Sequence, residues 1–338
     1  MQDVESLVKE LLRPSDALVV DMQKIEGDIV VLGVAGKMGP ALARLAREAT
    51  DLAGVNRRII GVSRFSESKT KAELEANGIE TITADLLNED HLASLPDAPN
   101  VLYMAGTKFG TTGNEPFTWA MNAYLPGRVA ERYRNSRIVV FSTGNVYPLT
   151  PVEDGGPTEE HPTGPVGEYG QSCLGRERIF QYFSAKNNTP MLIYRLNYAI
   201  DVRYGVLLDI AKSIMEERPI NLATGFVNVI WQGDANEIAL RALLHCDVPP
   251  RILNVTGPET ISVKWLAEQF GKRFQKTPLF VNEPMPTALL SNASHAHKLF
   301  GQPRVLLQQM IDITAAWIQQ GGETLDKPTH FQEREGKF

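Results

Sequence analysis

The sequence predicts an α/β fold, a doubly wound parallel sheet with a smaller mixed lobe after it, and three observations predict this. Short apolar runs alternate with amphipathic helical stretches from Asp28 to Phe141, a glycine-rich turn joins the first run to the first helix, and the alternation becomes irregular after Pro190. Apolar runs that alternate with helices are the pattern of βαβ units, whose strands are covered on both faces.

The elements follow in order. Residues 1–27 are an extension: Val4, Leu7, Val8, Leu11 and Leu12 repeat at helical spacing until Pro14, and Ala17-Leu18-Val19-Val20 reads as a strand. Strands are then predicted at Ile29–Leu32, Ile59–Val62, Glu80–Thr83, Val101–Met104 and Arg137–Phe141, with helices over 41–49, 71–77 and 119–134 between them. Residues 28–200 form the sheet domain, with returning strands near 226–256 (Val227–Trp231 and Arg251–Val255). Residues 201–225 and 257–338 form a second lobe, where helices are expected over 204–217, 263–274 and 306–319, with another over 235–245 between the returning strands. Prolines 278, 284 and 286 mark its loops. The polar tail from Gly321 to Phe338 reads as mobile unless Phe331 and Phe338 dock.

Composition removes several classes of function. With 34 Lys and Arg against 40 Asp and Glu, the chain has a formal charge of −6 and no cationic excess for a nucleic-acid backbone. No apolar run reaches the roughly 18 residues that cross a bilayer, and the N-terminus lacks a basic start with an apolar core, so a cytoplasmic protein with no membrane partner is expected. Cys173 and Cys246 stand alone, which fits neither a disulfide framework nor a thiolate metal site. His295 and His297, at i and i+2 on a helix, do not share a face, so no metal is expected.

The strongest local feature is Gly33-Val34-Ala35-Gly36-Lys37-Met38-Gly39, between a strand and the helix that Pro40 opens. Glycines there let backbone N–H groups approach a pyrophosphate at a positive helix end, so this Rossmann-type turn, with Lys37 and Met38 inside it, is the expected dinucleotide site. The second strand ends in Ser63-Arg64 with no carboxylate to repel a 2′-phosphate, and a guanidinium pairs well with one. NADP is therefore expected over NAD.

With its three-and-three glycine spacing the turn resembles that of the extended short-chain dehydrogenase/reductase family, which includes nucleotide-sugar epimerases and dehydratases. Further segments resemble the family's in the same order. Asp85-Leu86 resembles its adenine-facing pair, Met104-Ala105-Gly106 its cofactor-facing turn, Lys108 a lysine near the cofactor, and Asn122 its structural asparagine. The segment Phe141-Ser142-Thr143-Gly144-Asn145-Val146-Tyr147 resembles the one carrying the catalytic Ser or Thr, which puts that role on Thr143. Arg195-Leu196-Asn197 resembles a segment that touches substrate, so Asn197 and Ser142 are expected beside a small-molecule substrate such as a sugar or nucleotide sugar. The resemblance also implies a homodimer paired through the helices bearing Asn122 and Tyr169.

The catalytic tyrosine is where the pattern breaks. In the family a Tyr and a Lys four residues later share a helix face, and the ammonium lowers the phenol's pKa. Here Tyr169-Gly170-Gln171-Ser172-Cys173 supplies the tyrosine but places Cys173 at the lysine position; Tyr182 and Lys186 have the right spacing but lie too far from Thr143. Bringing a phenol from about 10 to near 7 takes roughly 4 kcal/mol, which a neutral thiol does not supply. Arg176, two turns beyond Tyr169, reads as too distant. Reduction, in which Tyr169 donates its proton, suffers less than oxidation. Two readings result: an NAD(P)-dependent oxidoreductase or epimerase/dehydratase-like enzyme, or a dinucleotide-binding protein with impaired catalysis. Cys173 reads as packing rather than as a nucleophile. His161, Glu159 and Glu160 read as surface residues, and Trp231 either lines the substrate pocket or fills the lobe interface.

Overall fold

The computed structural model describes residues 4–108 and 110–337. Seven strands, β1 (Ile29–Leu32), β2 (Ile59–Ser63), β3 (Glu80–Thr83), β4 (Asn100–Tyr103), β5 (Arg137–Thr143), β6 (Met191–Leu196) and β7 (Arg251–Val255), form one parallel sheet in the order β7-β6-β5-β4-β1-β2-β3. Ile29 of β1 pairs with Ile59 on one side and Asn100 on the other. The chain winds outward from β1 to β3, then restarts at β4 and winds the other way. This reversal opens a crevice beyond the carboxyl ends of β1 and β4, the place where ligands settle in open α/β sheets.

Strand alternation builds a core on each face. Val31, Leu102, Val139 and Leu192 meet α3 (Gly39–Leu52), while Val30, Leu32, Val101, Tyr103 and Val140 meet α7 (Leu125–Arg132) and α8 (Gly167–Asn187). The expected sheet and its parallel sense are as the sequence predicted. After β6 a lobe forms around α9 (Val206–Met215), α11 (Val263–Phe274) and α13 (Leu307–Gln319), whose apolar faces share a second core. The predicted strand over 227–231 is two short bridges: Phe226–Val227 pairs with Ile261–Ser262, and Ile230–Trp231 with Ala199–Ile200. No helix among the described residues is long and apolar enough to cross a membrane, and none of their His, Cys, Asp and Glu side chains form a group of three able to hold a metal.

Two expectations fail, and the tail takes the docked one of its two alternatives. Ala17–Val20 lies inside α2 (Asp16–Lys24), not a strand. Ser15 caps the helix by accepting from Leu18 N at 3.1 Å, and Leu18 and Met22, four residues apart, both bury completely. Cap and helical burial outweigh a local β preference. The helix expected over 119–134 is broken into α6 (Glu115–Trp119), a π-helical turn at Ala120–Tyr124, and α7. The tail is docked: Phe331 is 4% exposed in the lobe core, Thr329 N and Oγ1 both donate to Asp209, and Arg334 donates to Thr287 O. Phe338 lies outside the described residues.

The extension is held by a charged and polar seam. Ser15 donates to Glu237 and Arg241 to Asp21 on α10 (Gln232–Arg241) and α2, while α1 (Val4–Glu10) lies on the lobe core.

Candidate active site in the crevice

The glycine turn is shaped by backbone contacts. Gly33 N donates to Val62 O at 2.9 Å and Gly36 N to Gly33 O at 3.1 Å. Gly33 has φ +87°, a region that favours glycine, and a Cβ there would lie 2.8 Å from Ala105 N, across the crevice. A Cβ on Gly39 would lie 2.2 Å from Val34 O. Gly36 differs, since its Cβ would meet only Gly33 O, at 3.3 Å. Packing therefore demands glycine at 33 and 39, whereas at 36 a Cβ needs the turn to give by a few tenths of an ångström. The turn stands at the N-terminal end of α3, where a dinucleotide pyrophosphate is favoured.

A cavity of about 380 Å³ joins this turn to the opposite wall. It brings together Gly33, Gly36, Lys37, Met38 and Gly39 with Met104, Gly106, Lys108, Ser142, Thr143, Tyr169 and Asn197. Other expected residues lie apart from it. Arg64 is exposed at the end of β2, next to half-buried Ser63. The Asp85 carboxylate accepts from Leu87 N at 3.0 Å and Leu86 is buried in the core. Ala105 is buried behind the turn. Trp231 is fully buried, donates from Nε1 to Leu11 O at 3.3 Å and fills the lobe interface beneath α1, which removes it from the substrate wall. Its flat apolar body fits that seam better than an open cleft.

The tyrosine wall comes from β5 and α8. The Tyr169 side chain lies beside Thr143 and Cys173, each of which acts on its phenol. Thr143 Oγ1 donates to Asn145 Oδ1 at 3.0 Å, which fixes its rotamer. Burial pushes the Tyr169 phenol far above the usual tyrosine range, aided by Cys173 and opposed by Arg176 and Thr143. Burial also pushes the Cys173 thiol up, and this side chain is fully enclosed, as expected of a packing residue. Lys108 Nζ stands 5.9 Å from the centroid of the Tyr169 ring and is pushed down to about 8 by burial.

The Ser142 hydroxyl is engaged from beneath the cavity. Its Oγ donates at 2.6 Å to Glu177, which is fully buried and forked by Arg195 at 3.0 and 2.7 Å. Arg195 also donates to Tyr147 Oη at 2.6 Å, and Tyr147 donates to Asn254 Oδ1 at 2.9 Å. This buried network anchors β5, β6, β7 and α8 beneath the cavity, so Ser142, which also lines the cavity, has its hydroxyl proton committed to the support. Asn197, 2% exposed, lines the cavity at the end of β6. Asn122 sits in the π-helical turn, where it accepts from Thr107 N at 2.9 Å and donates to Thr107 O at 2.8 Å and to Ser172 Oγ at 3.0 Å. It shapes the turn after β4 from below.

Sequence reasoning missed part of the cavity. Tyr198, Tyr204, Gln232 and Thr329 line it. Thr329, 124 residues beyond Gly205, arrives with the docked tail, and no local pattern announces that. Lys37 Nζ lies 3.6 Å from the Tyr204 ring centroid, and burial, reinforced by Lys108 and Lys327, pushes its ammonium down to about 7. Arg176, read as too distant to serve Tyr169, donates to Phe141 O and Asn122 Oδ1, both at 2.8 Å, and opposes the upward push of burial on the Tyr169 phenol. Elsewhere, the His297 ring contacts Thr256 O at 3.1 Å, Glu159 accepts from Asn254 N at 2.8 Å, and His161 stands edge-on to Tyr147. None of these three lines the cavity.

Solved structures share this fold. The UDP-glucuronic acid 4-epimerase of Bacillus cereus, solved with NAD and a fluorinated UDP-glucuronic acid, is 18% identical, with a TM-score of 0.72 over 87% of this chain and 99% of that one. The Thermus thermophilus UDP-glucose 4-epimerase complex with NAD is 17% identical, with a TM-score of 0.69 over 86% and 99%. Neither likeness supports the NADP preference drawn from Arg64. No curated protein matches the sequence. The family model for the NAD dependent epimerase/dehydratase family matches residues 29–205, so the chain belongs to that family and is an enzyme of NAD-dependent epimerase/dehydratase type.

Proposed function

We propose that the protein acts on a sugar or nucleotide sugar with NAD as its cofactor, Tyr169 carrying the proton and Thr143 orienting the reacting oxygen. The observation that carries this reading is the cavity that sets Tyr169 and Thr143 on one wall and the glycine turn, Gly33, Gly36 and Gly39, on the other. Gly33, Gly36, Lys37, Met38 and Gly39 would hold the pyrophosphate, and Met104, Gly106 and Lys108 the nicotinamide half. Ser63, Arg64, Asp85 and Leu86, at the ends of β2 and β3, suit the adenosine half. Bound there, NAD supplies hydride acceptance and return.

Tyr169 is protonated at neutral pH, because burial raises its phenol and Cys173 contributes no charge. It is therefore set to donate a proton to a carbonyl oxygen more readily than to take one from a hydroxyl. Asn197, with Tyr198 and Tyr204, supplies polar contacts for sugar hydroxyls. Residues 28–200 with the returning strands make the dinucleotide domain, and residues 201–225 and 257–338 the substrate lobe. Exposed Trp119, Tyr124 and Tyr182 on α6, the π-helical turn and α8 favour a homodimer across these helices. A cytoplasmic location accords with this soluble-substrate chemistry.

The enclosed Cys173 favours one rival, a dinucleotide-binding protein with impaired catalysis. Fluorescence titration with NADH and NADPH, followed by incubation with NAD and UDP-glucose or UDP-glucuronic acid and NMR of the sugar, separates the readings. The enzyme reading predicts tighter NADH binding and a new sugar product that Tyr169→Phe abolishes. Binding without any product from these or other sugars supports the rival; binding of neither dinucleotide overturns both.

A further inference from the structure

Helix geometry sends side chains back toward the N-terminus of their helix. Arg176 therefore reaches toward Cys173 and Tyr169 from the next turns of α8. Its guanidinium donates at 2.8 Å to Asn122 Oδ1, and the same Asn122 amide donates at 3.0 Å to Ser172 Oγ. The charge thus lies level with Ser172 and Cys173, a full turn above its own Cα. Phe141 O accepts its second donor at 2.8 Å. The turn after β4 is cut to fit it, since a Cβ on Gly106 would stand 2.4 Å from Nη2. Arg176 is 6% exposed and its buried Nε finds no acceptor among the described residues, a cost that packing alone does not explain.

We propose that Arg176 is the positioning cation of this site: its guanidinium, brought back along α8 into the space that the short Cys173 leaves, provides the positive charge beside Tyr169 and fixes the Gly106 turn through Asn122. Cys173 and Arg176 are a compensated pair, in which a long cation three residues on requires a small neutral side chain at 173. The inference rests on the reading of Tyr169 as the proton carrier. The charged and titratable groups facing Tyr169 are Cys173 and Arg176 from its own helix and Lys108 from the segment after β4. Arg176 opposes the upward push of burial on both the phenol and the thiol.

The test places 3-chlorotyrosine, whose phenol ionises below that of tyrosine, at position 169 by site-specific incorporation and follows its phenolate absorbance against pH. Arg176→Met is expected to lower the ionisation constant at least tenfold, Arg176→Lys to keep it near the starting value, and Cys173→Lys/Arg176→Met to restore it. An unchanged midpoint in Arg176→Met, or a shift produced by Lys108→Met instead, overturns the proposal. If Arg176→Met does not fold, thermal melts of the cysteine variants decide. Cys173→Lys alone, with two cations in one buried space, must melt below Cys173→Lys/Arg176→Met, and the reverse order overturns the pairing. The absorbance reading does not depend on turnover, so a failed assay of Tyr169→Phe would remove the proton-carrier role while leaving this result legible.

Discussion

The two walls of the crevice are built on different principles. The glycine wall is made of backbone: Gly33 and Gly39 are required by contacts to Ala105 N and Val34 O, and no side-chain charge sets its shape. The α8 wall is made of buried polar side chains, with Arg176 tied to Asn122 and Phe141 and Glu177 tied to Arg195 and Ser142. A backbone wall depends on the glycines whose Cβ positions are already occupied. A side-chain wall can exchange one member when another moves to compensate, which is how a buried cysteine and a buried arginine come to share one helix face.

Substitutions sharpen this contrast. The largest effect belongs to the glycine wall: Gly39→Val, whose Cβ collides with Val34 O, should destabilise the fold by about 3 kcal/mol or more. Gly36→Ala, whose Cβ meets only Gly33 O at 3.3 Å, should cost far less. On the α8 wall, Glu177→Ala strands the Arg195 guanidinium in a dry interior and should cost about 3–5 kcal/mol in a denaturant melt. A loss comparable to a surface pair would show that the network is not as buried as described. Trp231→Phe, which removes the bond to Leu11 O, should cost about 1 kcal/mol and leave dinucleotide affinity untouched. A changed affinity would return Trp231 to the cleft.

A pH-dependent effect concerns Lys37. Its folded pKa, about 7, lies below its ordinary value of 10.5, so between these pH values the unfolded chain binds a proton that the folded chain does not. Its contribution to stability therefore rises with pH across that window. Lys37→Met should raise the melting temperature most at pH 7 and progressively less toward pH 10; a constant difference would contradict the linkage.

Much of the sheet was legible because each strand is a short apolar run bounded by turn residues, and the glycine turn because its spacing has a steric cause. Tyr169 and Thr143 were legible by order along the chain. What stayed hidden depends on distance in space. Ala17–Val20 looks extended until the burial of Leu18 and Met22 is known. The role of Arg176 depends on the backward tilt of a helical side chain and on a glycine 70 residues away. Thr329 reaches the cavity only because Asp209 and the lobe core hold the tail. Nothing local shows that a buried Glu177 beneath Ser142 takes its hydroxyl proton.

The most direct test of the central claim, that the crevice holds NAD along the glycine turn, is calorimetric titration of NAD into the wild-type protein and Gly36→Ala, with thermal melts of both. Binding to the wild type is expected, with at least a tenfold loss in a Gly36→Ala protein that still unfolds cooperatively. Equal affinity in a folded Gly36→Ala protein would contradict it.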